Sequence, residues 1–256
     1  MIKGEYRMKL KKMVKTWIIK NIVEPIIGDS EFKFKVEGRE ISLLLPKTHQ
    51  LFKSEGWPRD ATNQSHEYEP AMSKKYVELI KSSNVNCIYD VGSGIGYYSK
   101  LSKIIDKKIQ VHAFEPNDRL VKRNLIKYDS VSIVNKYVKD YDHKKNITLD
   151  RYSETHTIPD LIKMDIEGYE YYALQGMKTL LRKYKPILCI EFHERIMKET
   201  LAISNPRDII ADIKKYNYKI IYNGHHYELH TTGENRSEWF TEPPNSINFA
   251  MVCTIP

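Results

Sequence analysis

An α/β fold is predicted, with a mostly parallel seven-stranded sheet and helices on both faces. Three observations carry this. From about residue 71, short apolar runs alternate with helix-period segments. A glycine turn, Gly92-Ser93-Gly94-Ile95-Gly96, joins the first such run to a helix. Two later runs end among acidic residues, at Asp165 and Glu191, although acids are depleted from strands.

The elements follow in order. Residues 8–27 read as an amphipathic helix, with Leu10, Met13, Val14, Trp17, Ile18 and Ile22 at helical spacing. Phe32, Phe34 and Val36 alternate with polar residues, as do Ile41, Leu43 and Leu45, and Gly38 between them predicts a hairpin. Residues 46–70 hold Pro46, Pro58 and Pro70 and read as loop. The expected division is therefore an N-terminal extension over 1–70 and a main domain over 71–256. Within that domain, strands are predicted near 86–91, 109–115, 131–135, 160–166, 186–192, 217–222 and 247–253. Helices fit at 71–83, 96–106, 117–128, 170–184 and 205–216.

Bulk composition narrows the function. Lys and Arg exceed Asp and Glu by 41 to 33, a formal net charge of +8. The first 20 residues hold seven cations and one anion, net +6, which leaves the rest at +2. The surplus describes the N-terminal helix, and the near-neutral body fits a small neutral partner better than a polyanion. No apolar run approaches the roughly 20 residues of a membrane span. Lys20 and Glu24 interrupt the first apolar stretch, so it reads as mature protein rather than a signal peptide. Cys87, Cys189 and Cys253 lie in apolar runs without a CxxC pair, as buried thiols of a reducing compartment would. A cytoplasmic protein is expected. Residues 8–27 serve as a lid or as a peripheral membrane contact.

The chemistry centres on strand ends, where open parallel sheets bind ligands. Asp90 precedes the glycine turn and Tyr97 begins the next helix; the GxGxG spacing differs from the GxGxxG of dinucleotide binders. The next strand ends Phe114-Glu115-Pro116, with Glu115 where such folds present a carboxylate to ribose hydroxyls. Period-two alternation places Lys163, Asp165 and Glu167 on one side of their strand, and Cys189, Glu191 and His193 on one side of theirs. If the two strands are neighbours, these acid–base groups converge at one edge. No metal is claimed, because two carboxylates at i and i+2 are too few ligands.

These motifs resemble the FkbM family of S-adenosylmethionine-dependent methyltransferases. The resemblance runs from about 86 to 195, through Asp90–Ser99, Ala113–Asn117, Thr148–Asp150, Leu161–Glu170 and Glu191–His193. Its most specific piece is Lys-x-Asp-x-Glu-Gly-x-Glu at 163–170, and Asn248-Phe249-Ala250 looks like the family's closing strand. The resemblance implies a Rossmann-like methyltransferase fold, S-adenosylmethionine as cofactor and O-methylation of a small or glycan-like hydroxyl substrate. It implies Gly92, Gly94 and Gly96 against the cofactor, Glu115 on its ribose, and Asp165 and Glu167 at the reaction. Many members carry Ala-Asn where this chain has Ser93-Gly94, so a side-chain contact is lost but the turn is kept. Asp165 or His193 is expected to accept the proton, with Glu167 and Glu191 orienting groups beside Lys163.

The basic N-terminus and 18 tyrosines suit a nucleic-acid methyltransferase. The near-neutral body and the lack of an Asp/Asn-Pro-Pro-aromatic motif after the fourth strand oppose it. A scaffold without turnover is opposed by the intact acidic residues. Oligomeric state is not readable. His225, His226 and His230 read as loop residues, and Trp239 and Phe240 as an apolar wall over the acceptor.

Overall fold

The computed structural model describes residues 28–46, 68–224, 239–244 and 248–256. The helix expected over 8–27, and His225, His226 and His230, lie outside the described residues.

The hairpin forms first, as β1 (Asp29–Val36) and β2 (Arg39–Pro46). Its turn residues Glu37 and Gly38 have φ of 50° and 73°, the pair of positive angles that matches the strands' twist. Next come α1 (Pro70–Ser82), β3 (Cys87–Val91), α2 (Tyr97–Ile105), β4 (Gln110–Phe114), α3 (Arg119–Leu125) and β5 (Val131–Val134). A short parallel pair, β6 (Tyr137–Val138) and β7 (Asn146–Ile147), precedes α4 (Leu149–Ser153). Then follow β8 (Leu161–Met164), α5 (Glu170–Gln175), β9 (Ile187–Phe192), α6 (Glu194–Glu199), α7 (Asp208–Lys215), β10 (Lys219–Gly224) and β11 (Phe249–Thr254).

Seven strands form one sheet in the order β10-β11-β9-β8-β3-β4-β5. β11 is antiparallel to both neighbours, and the other pairings are parallel. The chain leaves β3 toward β4 and β5, then returns to β8 on the other side. This reversal opens a crevice beyond the carboxyl ends of β3 and β8. At the opposite, amino ends of these two strands Asp160 sets the register, accepting from the backbone N–H of Asn86 at 2.7 Å and Cys87 at 2.9 Å.

Each face has its own core. Tyr89, Phe114, Met164, Leu174, Ile190 and Ile213 share one. Ile88, Val111, Leu161, Cys189 and Val252 share the other with the hairpin's Phe34, Ile41, Leu43 and Leu45. The hairpin is thus packed into the same core as the main sheet. Asn124 of α3 pins it, accepting from Leu44 N at 2.7 Å and donating to Leu44 O at 3.1 Å. Arg119 and Arg123 both pair with the buried carboxylate of Asp29. All three cysteines are free and buried. No helix among the described residues is long and apolar enough to cross a membrane.

Two expectations change. The helix expected over 170–184 divides at Gly176, whose carbonyl accepts from Asp150 N at 3.1 Å and whose missing Cβ makes room for the Lys139 carbonyl. Asp150 then restarts the chain, accepting from Thr179 N at 2.8 Å and Leu180 N at 2.9 Å ahead of a π-helical turn at Leu180–Tyr184. The strand expected to reach 166 ends at Met164. Its alternation therefore stops short of Glu167, whose φ is 52°.

Candidate active site

The glycine turn is built by close approach. Gly92 has a φ of 79°, and a Cβ there would overlap the carbonyl oxygen of Asp165 and lie 2.7 Å from Ile166 Cγ2. Only glycine lets β3 and β8 meet so closely at their ends. The N–H groups of Gly92 and Ser93 donate to Phe114 O at 2.9 and 3.1 Å, tying the turn to β4. Gly94 N donates to Glu115 Oε2 at 3.0 Å, and Asn117 N to Glu115 Oε1 at 2.8 Å. Gly96 turns away from the crevice, where an added Cβ would touch Leu125 and Val121 at 3.3 Å. Its task is helix packing. Asp90 is buried and accepts from Ser99 N at 2.9 Å and Ser99 Oγ at 2.5 Å, which locks α2 onto the turn. Burial raises its pKa, against the Ser99 bonds that lower it.

The crevice holds a cavity of about 440 Å³, within the roughly 300–1,000 Å³ of small-ligand sites. Asp90, Gly92, Ser93, Gly94, Tyr97, Glu115 and Pro116 line one part, and Lys163, Asp165 and Glu167 another. Lys136 to Lys139 and Tyr169 complete the wall. The sequence carries no signal for that segment, because its strand, Tyr137–Val138, is too short to show a period.

A buried charge cluster closes the floor. Lys163 is 1% exposed, its Nζ 4.6 Å from the Tyr98 ring centre. Around Nζ stand Glu191 Oε1 at 3.7 Å, Glu69 Oε2 at 3.9 Å and Asp165 Oδ2 at 4.0 Å. Among the described residues, Nζ has no hydrogen-bond partner. Burial alone would lower the lysine's pKa, but Glu191, Glu69, Asp165 and Asp90 together raise it. Asp165, 26% exposed in its side chain, faces the cavity with its pKa pushed up to about 7. Burial and Glu191 push it up, while Lys163 and His193 pull it down.

His193 stands behind Asp165. Its Nε2 is 3.9 Å from Asp165 Oδ1, and its Nδ1–H donates to Glu170 Oε1 at 3.0 Å. Burial lowers its pKa, but Glu170 and Asp165 outweigh that and push it up to about 10. Its acidic neighbours thus favour the charged, proton-donating form of the ring. Glu170 also accepts from Ile166 N at 3.1 Å and Gly168 N at 3.1 Å, fixing the loop after β8. Glu167 is 78% exposed at the rim, 3.9 Å from His193 Nε2.

The expected convergence is thus present, with Lys163, Asp165, Glu191 and His193 in one cluster. Glu191 and His193 reach the cavity through Lys163 and Asp165 rather than lining it. Trp239 and Phe240 do not line it either. Phe240 exchanges 2.7 Å backbone hydrogen bonds with Tyr222, and Trp239 packs toward the hairpin-side core. Glu69 was read as loop and joins the cluster.

A family comparison decides the likeness. Residues 127–220 match the methyltransferase FkbM domain. The match takes in Lys163, Asp165, Glu167, Glu170, Glu191 and His193, while the glycine turn and Glu115 precede it. The FkbM resemblance read from the motifs and the Rossmann-like fold both stand. Among solved structures, methyltransferase FkbM from Methylobacillus flagellatus KT aligns at 18% identity and a TM-score of 0.48, covering 70% of this chain and 47% of that one. This chain therefore spans under half that FkbM structure's length. The precorrin-6y C5,15-methyltransferase of Geobacter metallireducens GS-15 aligns at 10% identity and 0.44, covering 74% and 89%. The TehB-like SAM-dependent methyltransferase of Corynebacterium glutamicum ATCC 13032 Kitasato aligns at 13% and 0.39, covering 71% and 87%. No curated protein matches the chain.

Proposed function

We propose that this protein is an S-adenosylmethionine-dependent O-methyltransferase acting on a hydroxyl of a small or glycan-like acceptor. One observation carries the reading. Asp165 lines the cavity with its backbone against the Gly92 turn, and burial and Glu191 push its carboxyl pKa up to about 7. A general base works best with a pKa near the operating pH.

The residues present fit the cofactor. An added Cβ at Gly94 would have nothing nearer than 4.0 Å, and buried Ser93 Oγ has no hydrogen-bond partner among the described residues. Gly92 to Gly94, Glu115 and Pro116 would hold it, with Tyr97 and Tyr137 as aromatic walls. When bound, S-adenosylmethionine supplies a methyl group already activated on sulfur.

The chain's own groups then position the acceptor and take its proton. Asp165 would accept the proton of the acceptor hydroxyl. Lys163 fixes Asp165 from below and His193 from behind. Orientation contributes about 7–11 kcal/mol and a general base about 10²–10⁴-fold, so positioning outweighs proton removal. The cluster of carboxylates around Lys163 opposes an anionic acceptor and favours a neutral hydroxyl.

The test has two parts: calorimetric titration with S-adenosylmethionine, and a labelled-methyl screen of sugars and hydroxylated metabolites. Saturable cofactor binding with label on a hydroxyl oxygen supports the reading. Label found only on nucleic acid, or binding without transfer to any hydroxyl, opposes it.

A further inference from the structure

Three acids meet at the floor of the cavity from three separate elements. Glu69 comes from the N-cap of α1, Asp165 from the loop after β8, and Glu191 from β9. Each offers a carboxylate oxygen within 4.8 Å of the others. Oxygen-bound divalent cations keep their ligands at about 2.0–2.6 Å, so oxygens this close can share one ion. The fold thus assembles the ligand number that two acids at i and i+2 lack.

Lys163 fills that place. It rises from β8 between Asp90 and Cys189 of the neighbouring strands. Its Nζ stands 3.7 Å from Glu191, 3.9 Å from Glu69 and 4.0 Å from Asp165. The ammonium is shared by the three and, among the described residues, hydrogen-bonded to none. The ring of Tyr98 backs it at 4.6 Å, and the same tyrosine's Oη–H donates to Glu69 Oε2 at 2.6 Å. An aromatic face attracts an ammonium but has no lone pair to give a metal ion. A divalent ion on the same three oxygens would sit beside a buried ammonium, where little water screens their repulsion. Asp165, Glu170 and His193 form a second group at such spacing. There the His193 Nδ1–H donates to Glu170 at 3.0 Å, so that nitrogen has no lone pair free for an ion.

We propose that the ammonium of Lys163 takes the place of a divalent cation in this site: it is a positioning residue that gathers Glu69, Asp165 and Glu191, and this cluster binds no metal ion while it is there. Such a cation belongs to the chain and cannot be removed by a chelator. Glu69 precedes the matched segment 127–220, so the cluster draws a residue from outside it. The service of Lys163 to Asp165 as proton acceptor rests on the methyltransferase reading; its place among the three acids does not.

Titration of the full chain with Mn²⁺, without cofactor, tests this, with the free ion followed by electron paramagnetic resonance. The wild type and Glu191→Gln should take up Mn²⁺ equally, because the cluster contributes no site. Lys163→Met keeps the length of the stem and removes the charge. It should gain one Mn²⁺ site per chain, and the gain should vanish when Glu191→Gln is added. Should Lys163→Met fold only with Mn²⁺ present, that is the same gain read through folding. The proposal is overturned if Glu191→Gln lowers uptake by the otherwise wild-type chain, if Lys163→Met folds and gains no site, or if it folds neither alone nor with Mn²⁺. Titration of the wild type with S-adenosylmethionine reads the methyltransferase assignment separately.

Discussion

Asp165 Oδ1 and His193 Nε2 lie 3.9 Å apart, and the far side of the same imidazole is held by Glu170 at 3.0 Å. This chain of acid, imidazolium and acid divides labour between two groups that both look like bases. Glu170 makes His193 a fixed cation, and the cation stabilises ionised Asp165. Asp165 is left as the group that changes charge near neutral pH.

Asp165→Asn should lower methyl transfer by about 10²–10⁴-fold and leave cofactor affinity nearly unchanged. Its stability effect has the opposite sign. The folded pKa of Asp165 is raised from the usual 3.8 to about 7. Its contribution to stability is therefore full below the unfolded value and lost as pH rises through 7. Above that pH the variant should melt higher than wild type, and the gap should close in acid. Melting curves at several pH values check this.

His193 gives a second pH signature. Its folded pKa is raised from 6.5 to about 10. The stability it contributes is present below 6.5 and is lost as pH rises through 10. His193→Gln should remove that alkaline loss. Glu170→Ala should cost more, about 3–5 kcal/mol, because it strands the imidazolium and the N–H groups of Ile166 and Gly168. Denaturant unfolding measures both.

Two glycines of one turn should respond differently to alanine. Gly92→Ala forces a side chain into the Asp165 carbonyl, and should destroy cofactor binding and destabilise the fold. Gly94→Ala meets no atom nearer than 4.0 Å, and should cost only the left-handed strain of about 1–2 kcal/mol. Calorimetry and thermal melts separate the two.

The hairpin should behave as core. Leu43 is 1% exposed and shares its cluster with α1, α2 and the sheet. Leu43→Ala should cost about 2–5 kcal/mol in a single cooperative transition that also reports the sheet. A separate early transition for the N-terminal part would oppose this.

The readable parts of this molecule were the local ones. Gly92, Glu115 and Asp165 each announce themselves by residue type at a strand end, and the sheet follows from alternation of periods. Less was readable where a partner far along the chain decides the matter. His193 reads as a titrating base until Glu170 is seen beside it. Gly96 reads as a cofactor contact until Val121 and Leu125 occupy its far side. Glu69 sits in a proline-bearing stretch that reads as loop, and only the folded chain, left-handed at this residue, shows it beside Lys163. Glu167 differs for another reason: the alternation that places it beside Asp165 runs three residues past the end of β8 at Met164.

The most direct test of the central claim is a crystal structure of the full chain with S-adenosylhomocysteine. The account predicts the ligand along Gly92 to Gly94, its ribose at Glu115 and its sulfur directed at Asp165. A sulfur pointing away from Asp165, or a ligand seated outside this cavity, would contradict it.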